Sequence, residues 1–184
     1  VSVVLQGPDG SLVLAGDDHI IQEVNGRGFR VSAGSFFQVN IPQAEQMVKH
    51  VLDLVPDWQD KVVLDLYCGV GLFSRFLAER AAALLCIELS PEACADFRVN
   101  LAGAGPVRLV EGRAAQVVPG LTTPCDTLVV DPPRTGLESE LVAALVGLYV
   151  FQLVGAASVN ASTGTHVGSA LSLIQCVYVV VKHI

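Results

Sequence analysis

The stretch Val62-Val63-Leu64-Asp65-Leu66-Tyr67-Cys68-Gly69-Val70-Gly71-Leu72-Phe73-Ser74 decides the fold class. Its apolar first part predicts a buried strand, its two glycines predict a tight turn, and the residues after Gly71 predict a helix. Glycine lets the backbone approach a ligand closely, and the unpaired N–H groups of a helix start attract one. The D-x-x-x-G-x-G spacing differs from the G-x-G-x-x-G of dinucleotide sites, so this shorter turn predicts a ligand without a pyrophosphate.

The residues that follow keep alternating between apolar strands and helices. Strands are predicted at 84–88, 107–110 and 127–130, and helices at 72–80 and 91–101. Continuous apolar strands separated by helices are typical of a doubly wound, mostly parallel sheet covered on both faces. The sequence therefore predicts an α/β domain whose ligand lies at the carboxyl ends of the strands.

Three segments divide the chain. Residues 1–40 contain short apolar runs and turn residues, which predict a small antiparallel meander with Asn25-Gly26 as a tight hairpin turn. Helical spacing at 42–55 predicts a connecting helix within 41–60. Residues 61–184 then form the main α/β domain, with an atypical tail from about residue 141.

Composition excludes several classes of protein. With 184 residues, 52% of them hydrophobic and 16% charged, the chain can bury a large core and is not disordered. Its net charge of −7 provides no general attraction for nucleic acid, which would need a local positive patch. Five cysteines without a CxxC pair favour a reducing, cytoplasmic compartment over disulfides or zinc. The first residue is Val1, and no basic region precedes an apolar stretch, so we expect a fragment without a signal peptide.

The tail differs from the rest of the chain in charge. Lys182 is the only lysine, arginine, aspartate or glutamate after residue 140. The run 141–157, in which Gln152 is the only strongly polar residue, touches the lower limit for a membrane span. The preceding α/β pattern favours a buried helix and strand instead. Three origins fit this tail: a divergent end, a frame change in the coding sequence, or damage.

Two acidic strand ends are the candidate ligand contacts. The strand 84–88 ends in Glu88, where a carboxylate can hold the two hydroxyls of a nucleoside ribose. The strand at 127–130 is followed by Asp131-Pro132-Pro133, and the two prolines restrict the backbone beside the ligand crevice. We call Pro132-Pro133 the proline shelf. The alternatives are a solvated strand end or helix cap for Glu88 and a plain structural turn for the prolines. Asp65 is expected only to brace the loop.

Four motifs in order, Phe29 to Asn40, Leu64 to Ser74, Ile87 to Pro91 and Val130 to Leu137, resemble those of the uracil-5 RNA methyltransferases. This family uses S-adenosylmethionine to make 5-methyluridine in transfer and ribosomal RNA. The resemblance implies a Rossmann-like class I methyltransferase fold and an RNA partner, without a membrane or a metal. It also implies a set of cofactor contacts, which are Gln38, Tyr67, Gly69, Gly71, Glu88 and Asp131. Arg134, beside the shelf, is the expected RNA contact.

The residues for catalysis do not follow the family pattern. In the family a cysteine thiolate adds to C6 of uracil, and a glutamate later removes the C5 proton. The matching stretch here, Ser158 to Thr163, has Val159 in place of the nucleophile, and no glutamate follows Glu140. Arg113 also stands where an acid is expected at the adenine side. We therefore expect no catalytic residue in this chain.

Two functions remain open. The chain is either a uracil-5 methyltransferase, or a piece of one, with an intact cofactor half, or a catalytically silent module that binds S-adenosylmethionine or RNA. An amino-methyltransferase is disfavoured because Arg134 replaces the aromatic residue that would stack the target base. We expect none of the five cysteines to replace the nucleophile of the family. Four of them are expected to be buried packing residues, which are Cys68, Cys86, Cys94 and Cys176. Cys125 precedes its strand and so lies at the end away from the ligand crevice.

Overall fold

The computed structural model describes residues 2–7, 10–55, 57–122, 125–133, 135–147 and 177–180. In chain order these form β1 Val3–Gly7, β2 Gly10–Ala15, β3 His19–Val24, β4 Arg27–Ser32, α1 Ile41–Asp53, β5 Val62–Leu66, α2 Leu72–Leu77, β6 Ala83–Glu88, α3 Pro91–Asn100, β7 Val107–Glu111, α4 Ala114–Val117 followed by a 3-10 turn at Val118–Gly120, β8 Thr127–Val130, α5 over residues 139–147, and β9 Val177–Val180. Within these ranges, no helix has the length and apolar character needed to cross a membrane.

The main sheet has five parallel strands in the order β7-β6-β5-β8-β9. This confirms the predicted doubly wound sheet, and its strands begin and end within one residue of the predicted bounds. The chain winds to one side of β5 through β6 and β7, then to the other side through β8. In such sheets the ligand crevice opens beyond the carboxyl ends of the strands where this direction reverses.

Helix α2 is shorter than predicted. It ends at Leu77 rather than Arg80, because the N–H groups of Arg80 and Ala81 both donate to the carbonyl oxygen of Leu77 and close the helix in a turn. Helix α1 lies close to its predicted range. Its N-cap is Asn40, whose side-chain oxygen accepts a hydrogen bond from Gln43 N at 3.2 Å.

The four N-terminal strands form two separate antiparallel pairs, β1 with β2 and β3 with β4. The predicted antiparallel pairing of residues 1–40 is confirmed, and the structure divides these strands into two pairs. The two pairs differ in burial: every residue of β2 is exposed, but Val24, Phe29 and Val31 of the second pair are buried in the main core. Burial of these side chains holds β3 and β4 against the main domain rather than in one sheet with β2.

The main sheet is covered on both faces, as predicted. One core contains side chains of the β3–β4 pair, helices α1 and α2 and the sheet, including Phe29, Val48 and Val63. The other core joins Leu66 to Leu141 of helix α5. Burying these apolar surfaces fixes the carboxyl ends of the strands at one edge, where the candidate site lies.

Candidate functional site

The carboxyl edge of the main sheet brings four of the predicted cofactor contacts together. Leu66 is in register with Ile87 on one side and Val130 on the other. The residues that follow these positions are Tyr67, Glu88 and Asp131, so all three lie at the same edge. Tyr67 N donates to Ile87 O at 2.9 Å, and Asp131 N donates to Leu66 O at 3.4 Å. Gly69 joins them through the contact described next.

The side chain of Glu88 is hydrogen-bonded to the glycine loop, the name we use for residues 67–71. Its Oε2 accepts a hydrogen bond from Gly69 N at 2.9 Å, while its Oε1 accepts from Leu89 N and Ser90 N, both at 2.8 Å. Glu88 does not cap α3, because Ser90 does so by accepting from Ala93 N at 3.2 Å. Since an ionised carboxylate has about four acceptor positions, Glu88 can still accept from a ligand.

The two glycines of the loop have different surroundings. Both have left-handed backbone angles, φ 54° for Gly69 and φ 94° for Gly71. A Cβ atom added to Gly69 would meet no heavy atom within 4 Å, so this side of the loop is open. A Cβ atom on Gly71 would collide with Leu101 Cδ1 and lie 3.0 Å from Phe97 Cδ2. Gly69 thus leaves room for a ligand, whereas Gly71 lets α3 pack against the loop; that both bind cofactor stays a prediction.

Asp65 is buried beneath the loop. Its Oδ2 accepts a hydrogen bond from Ser74 Oγ at 2.5 Å, as expected of a bracing residue. Burial raises the pKa of Asp65 to about 7, the nearby charges of Asp131 and Glu88 add to the rise, and the Ser74 hydrogen bond opposes it. The charges of Asp131 and Glu88 thus act on Asp65 unfavourably, and a positively charged ligand at this edge would offset that repulsion.

The buried cysteines near the loop are poor nucleophiles. Burial raises the pKa of the Cys68 thiol well above its ordinary value, and burial also raises that of Cys94 to about 11. Cys86 is fully buried, with its Sγ 3.3 Å from Ser74 Oγ. These surroundings suit the expected packing role. Cys176 lies outside the described residues.

Sequence reasoning missed Asp96 and Asn100 of helix α3, which hold the β4 segment. Asp96 is 1% exposed, and its carboxylate accepts hydrogen bonds from Arg30 Nε at 3.0 Å, and from Ser32 N, Ser32 Oγ and Ser35 Oγ, each at 2.7 Å. Although burial acts against it, hydrogen bonds from Ser35 and Ser32 hold the pKa of Asp96 below its ordinary value. One signal was available: Asp96 and Asn100 are spaced four apart among buried helix positions, and a buried carboxylate needs partners.

Glu138 was also missed. Arg113, where the family pattern places an acid, has its Nε 3.9 Å from Glu138 Oε1. The pKa of Tyr67 is raised, mainly by burial and next by the charge of Glu138, while Arg113 opposes the rise. Glu138, which follows the two prolines in the chain, thus provides a carboxylate next to Arg113, the residue that stands where the family has an acid.

Gln38 lies in a different setting from the other predicted contacts. It lines a cavity of about 420 Å³ whose lining residues all lie between Ser2 and Val39. Its contact with a cofactor therefore stays a prediction. Arg134 and Val159 lie outside the described residues. Within the ranges that the structure describes, no group of three or more histidine, cysteine or acidic side chains is placed to hold a metal.

Comparisons with known proteins agree with this geometry. The sequence model of the family described as tRNA (Uracil-5-)-methyltransferase matches residues 10–110. A protein of Oceanobacillus iheyensis named as an uncharacterized RNA methyltransferase is 36% identical over 143 residues, which are 74% of this chain and 31% of that protein. Human tRNA (uracil-5-)-methyltransferase homolog A is 37% identical over 139 residues, 72% of this chain and 22% of that protein.

Among solved structures, the chain is similar to Pyrococcus abyssi tRNA (uracil-54, C5)-methyltransferase in complex with S-adenosyl-L-homocysteine. The TM-score is 0.61 with 30% sequence identity, over 71% of this chain and 32% of that one. The chain thus spans less than a third of the length of each of these relatives.

Proposed function

This chain belongs to the tRNA (uracil-5-)-methyltransferase family, and from that premise we propose that it binds S-adenosylmethionine at the carboxyl edge of its parallel sheet. The observation that carries the proposal is the 2.9 Å hydrogen bond from Gly69 N to Glu88 Oε2. This hydrogen bond holds the carboxylate of Glu88, the predicted ribose contact, beside the open side of the glycine loop. When bound, S-adenosylmethionine supplies an electrophilic methyl group on a positively charged sulfur.

The residues at this edge fit that cofactor in shape and charge. The side of the loop at Gly69 has no heavy atom within 4 Å of an added Cβ, which leaves space for the ligand. Glu88 would accept hydrogen bonds from the ribose hydroxyls. The pKa of Asp65 is raised mainly by burial, and the nearby charges of Asp131 and Glu88 add to this rise. A cationic ligand would offset this repulsion.

Replacement of Glu88 tests the site. We expect Glu88→Gln to bind S-adenosylmethionine or S-adenosylhomocysteine at least about tenfold more weakly in isothermal titration calorimetry, because a neutral amide is a weaker acceptor. Glu23→Gln makes the same chemical change on an exposed residue of β3 and is expected to leave the affinity unchanged. Equal binding by wild type and Glu88→Gln would contradict the site, and absence of binding by wild type would contradict the cofactor.

Methylation of uridine by this chain is not part of the proposal. Val159 occupies the position that resemblance assigns to the nucleophile, and no carboxylate side chain follows Glu140. Removing the nucleophile from a catalytic site lowers the catalytic rate by roughly several powers of ten. With labelled cofactor and a uridine-containing hairpin, we expect no transfer above background, and no covalent adduct with 5-fluorouridine RNA. Transfer at a rate typical of an intact enzyme would contradict this reading.

The second candidate is a silent module that binds S-adenosylmethionine or RNA, of transfer or ribosomal type, in the cytoplasm. Val159, at the position that the resemblance assigns to the nucleophile, supports this candidate. With a net charge of −7, RNA affinity depends on few positive groups, of which Arg134 is the one beside the shelf. The salt dependence of binding is therefore expected to be shallow, since each phosphate contact adds about 0.7 to 0.9 to the slope.

A further inference from the structure

Asn100, the last residue of α3, uses its side-chain carboxamide to bind backbone groups in two distant parts of the chain. Its Nδ2 donates to Val70 O at 2.9 Å and to Arg30 O at 3.0 Å, and its Oδ1 accepts from Arg30 N at 2.7 Å. Val70 belongs to the glycine loop and is itself buried, while Arg30 belongs to β4. One carboxamide therefore fixes the glycine loop to the β3–β4 pair.

The same helix contacts the loop by packing and holds β4 by charge. Phe97 of α3 and Leu101, which follows its last residue, fill the space beside Gly71, so the loop cannot move towards the helix. One turn before Asn100, Asp96 accepts hydrogen bonds from Arg30, Ser32 and Ser35. Helix α3 and β4 thus form a rigid support, and the Asn100 amide is the hydrogen-bonding link from that support to the loop.

We propose that Asn100 is a positioning residue for the cofactor, which holds the glycine loop so that Gly69 N and Glu88 meet at the ligand crevice. This inference rests on the proposed function. Only a carboxamide satisfies all three backbone groups, because it both donates and accepts at one end of a short side chain. A carboxylate in its place cannot donate, and it would turn a negative charge towards Val70 O and Arg30 O.

The first test is Asn100→Asp. We expect S-adenosylhomocysteine to bind about tenfold more weakly in calorimetry at neutral pH, because a displaced loop no longer presents Gly69 correctly. Asn25→Asp is the matched control: it makes the same substitution at an exposed turn residue and is expected to bind as wild type does. In the protein without ligand, hydrogen exchange of the Gly69 and Gly71 amides is expected to be faster in Asn100→Asp only.

A double-mutant cycle with Glu88→Gln separates positioning from general stability. If Asn100 acts through the loop that Glu88 binds, the double variant is expected to lose less affinity than the product of the single losses. A merely structural role predicts independent effects, and such a result would overturn the inference. Binding of Asn100→Asp equal to that of wild type would overturn it as well.

The remaining outcomes are also decisive. If Asn100→Asp does not fold, Asn100→Gln replaces it, since it keeps the amide but displaces it by one methylene; affinity equal to wild type would then overturn the inference. Failure of the wild-type chain to bind any S-adenosyl compound would overturn the proposed function and this inference together. Binding by wild type with no loss in either variant would overturn the inference alone.

Discussion

Within the part of the chain that the structure describes, two turns place a residue other than glycine in the left-handed region of backbone angles. Asn25, with φ 46°, forms the turn between β3 and β4, and Tyr67, with φ 61°, begins the glycine loop. Asparagine adopts this conformation at little cost, and Gly26 follows it with φ 72°. The cross-strand pair Val24 and Arg27 closes this turn directly. The residue types of the hairpin turn thus favour its backbone angles, and Asn25 N also donates a hydrogen bond to Glu45 Oε1 of α1 at 2.9 Å.

Tyr67 adopts the same conformation against its preference. A left-handed backbone costs a large side chain on the order of 1–2 kcal/mol. The loop keeps this angle because distant residues hold it: Ile87 O accepts from both Tyr67 N and Cys68 N, at 2.9 and 3.2 Å, and Asn100 binds Val70 O. Backbone strain that is held by the surrounding structure is typical of functional sites. The comparison teaches that the ligand-facing turn keeps an unfavourable backbone angle through tertiary contacts, whereas the hairpin turn has an angle that its own residue types favour, with the Glu45 contact as an addition.

Substitution of Gly71 gives the largest expected difference between the two turns. We expect Gly71→Ala to lower the free energy of unfolding by roughly 3 kcal/mol, because the new methyl group would collide with Leu101 and the backbone angle is unfavourable for alanine. In the hairpin, Gly26→Ala meets no atom within 4 Å and is expected to cost only about 1 kcal/mol. Urea unfolding of both variants measures this difference, and equal losses would contradict the tertiary origin of the loop.

A smaller effect is expected from Asp65, which lies under the loop. Its pKa is 3.8 in the unfolded chain and about 7 in the folded one. Between these values unfolding releases a proton, so the free energy of unfolding falls as pH rises through this window and levels off above it. We expect wild type to lose about 2 kcal/mol more than Asp65→Asn between about pH 4.5 and 7.

The control for this measurement is Asp53→Asn, which makes the same change on an exposed residue at the end of α1 and is expected to follow the pH profile of wild type. Urea unfolding at several pH values provides the data. Parallel profiles for wild type and Asp65→Asn would show that the carboxyl group is not destabilised by burial beneath the loop.

The strands and helices of the main domain could be predicted because their signals are local. Continuous apolar runs predict buried parallel strands, and turn residues separate them from helices. The doubly wound, parallel class of the sheet followed from the alternation of strands and helices, whereas the strand order is known from the structure alone. The separate pairing of β1–β2 and β3–β4 could not be predicted, because strand patterns do not reveal that Phe29 packs into the main core while β2 stays exposed.

The candidate site divides in the same way. Its acids at strand ends, Glu88 and Asp131, were visible because parallel strands bring their carboxyl ends to one edge. The spacing of Asp96 and Asn100 marks one helix face, but their partners and the partner of Glu138 were not visible, since these lie far away in the sequence.

By itself, the sequence determined the parallel sheet, the glycine loop, its family resemblance and the acid that faces it. Only the tertiary structure decided that Gly69 faces open space while Gly71 faces Leu101, although both glycines read alike in the sequence. It also decided that Asp65 lies buried with a raised pKa and that Asn100 ties the loop to β4. The physical reason is that periodicity reports which side of an element is apolar, whereas the partner of each polar group depends on how whole elements pack.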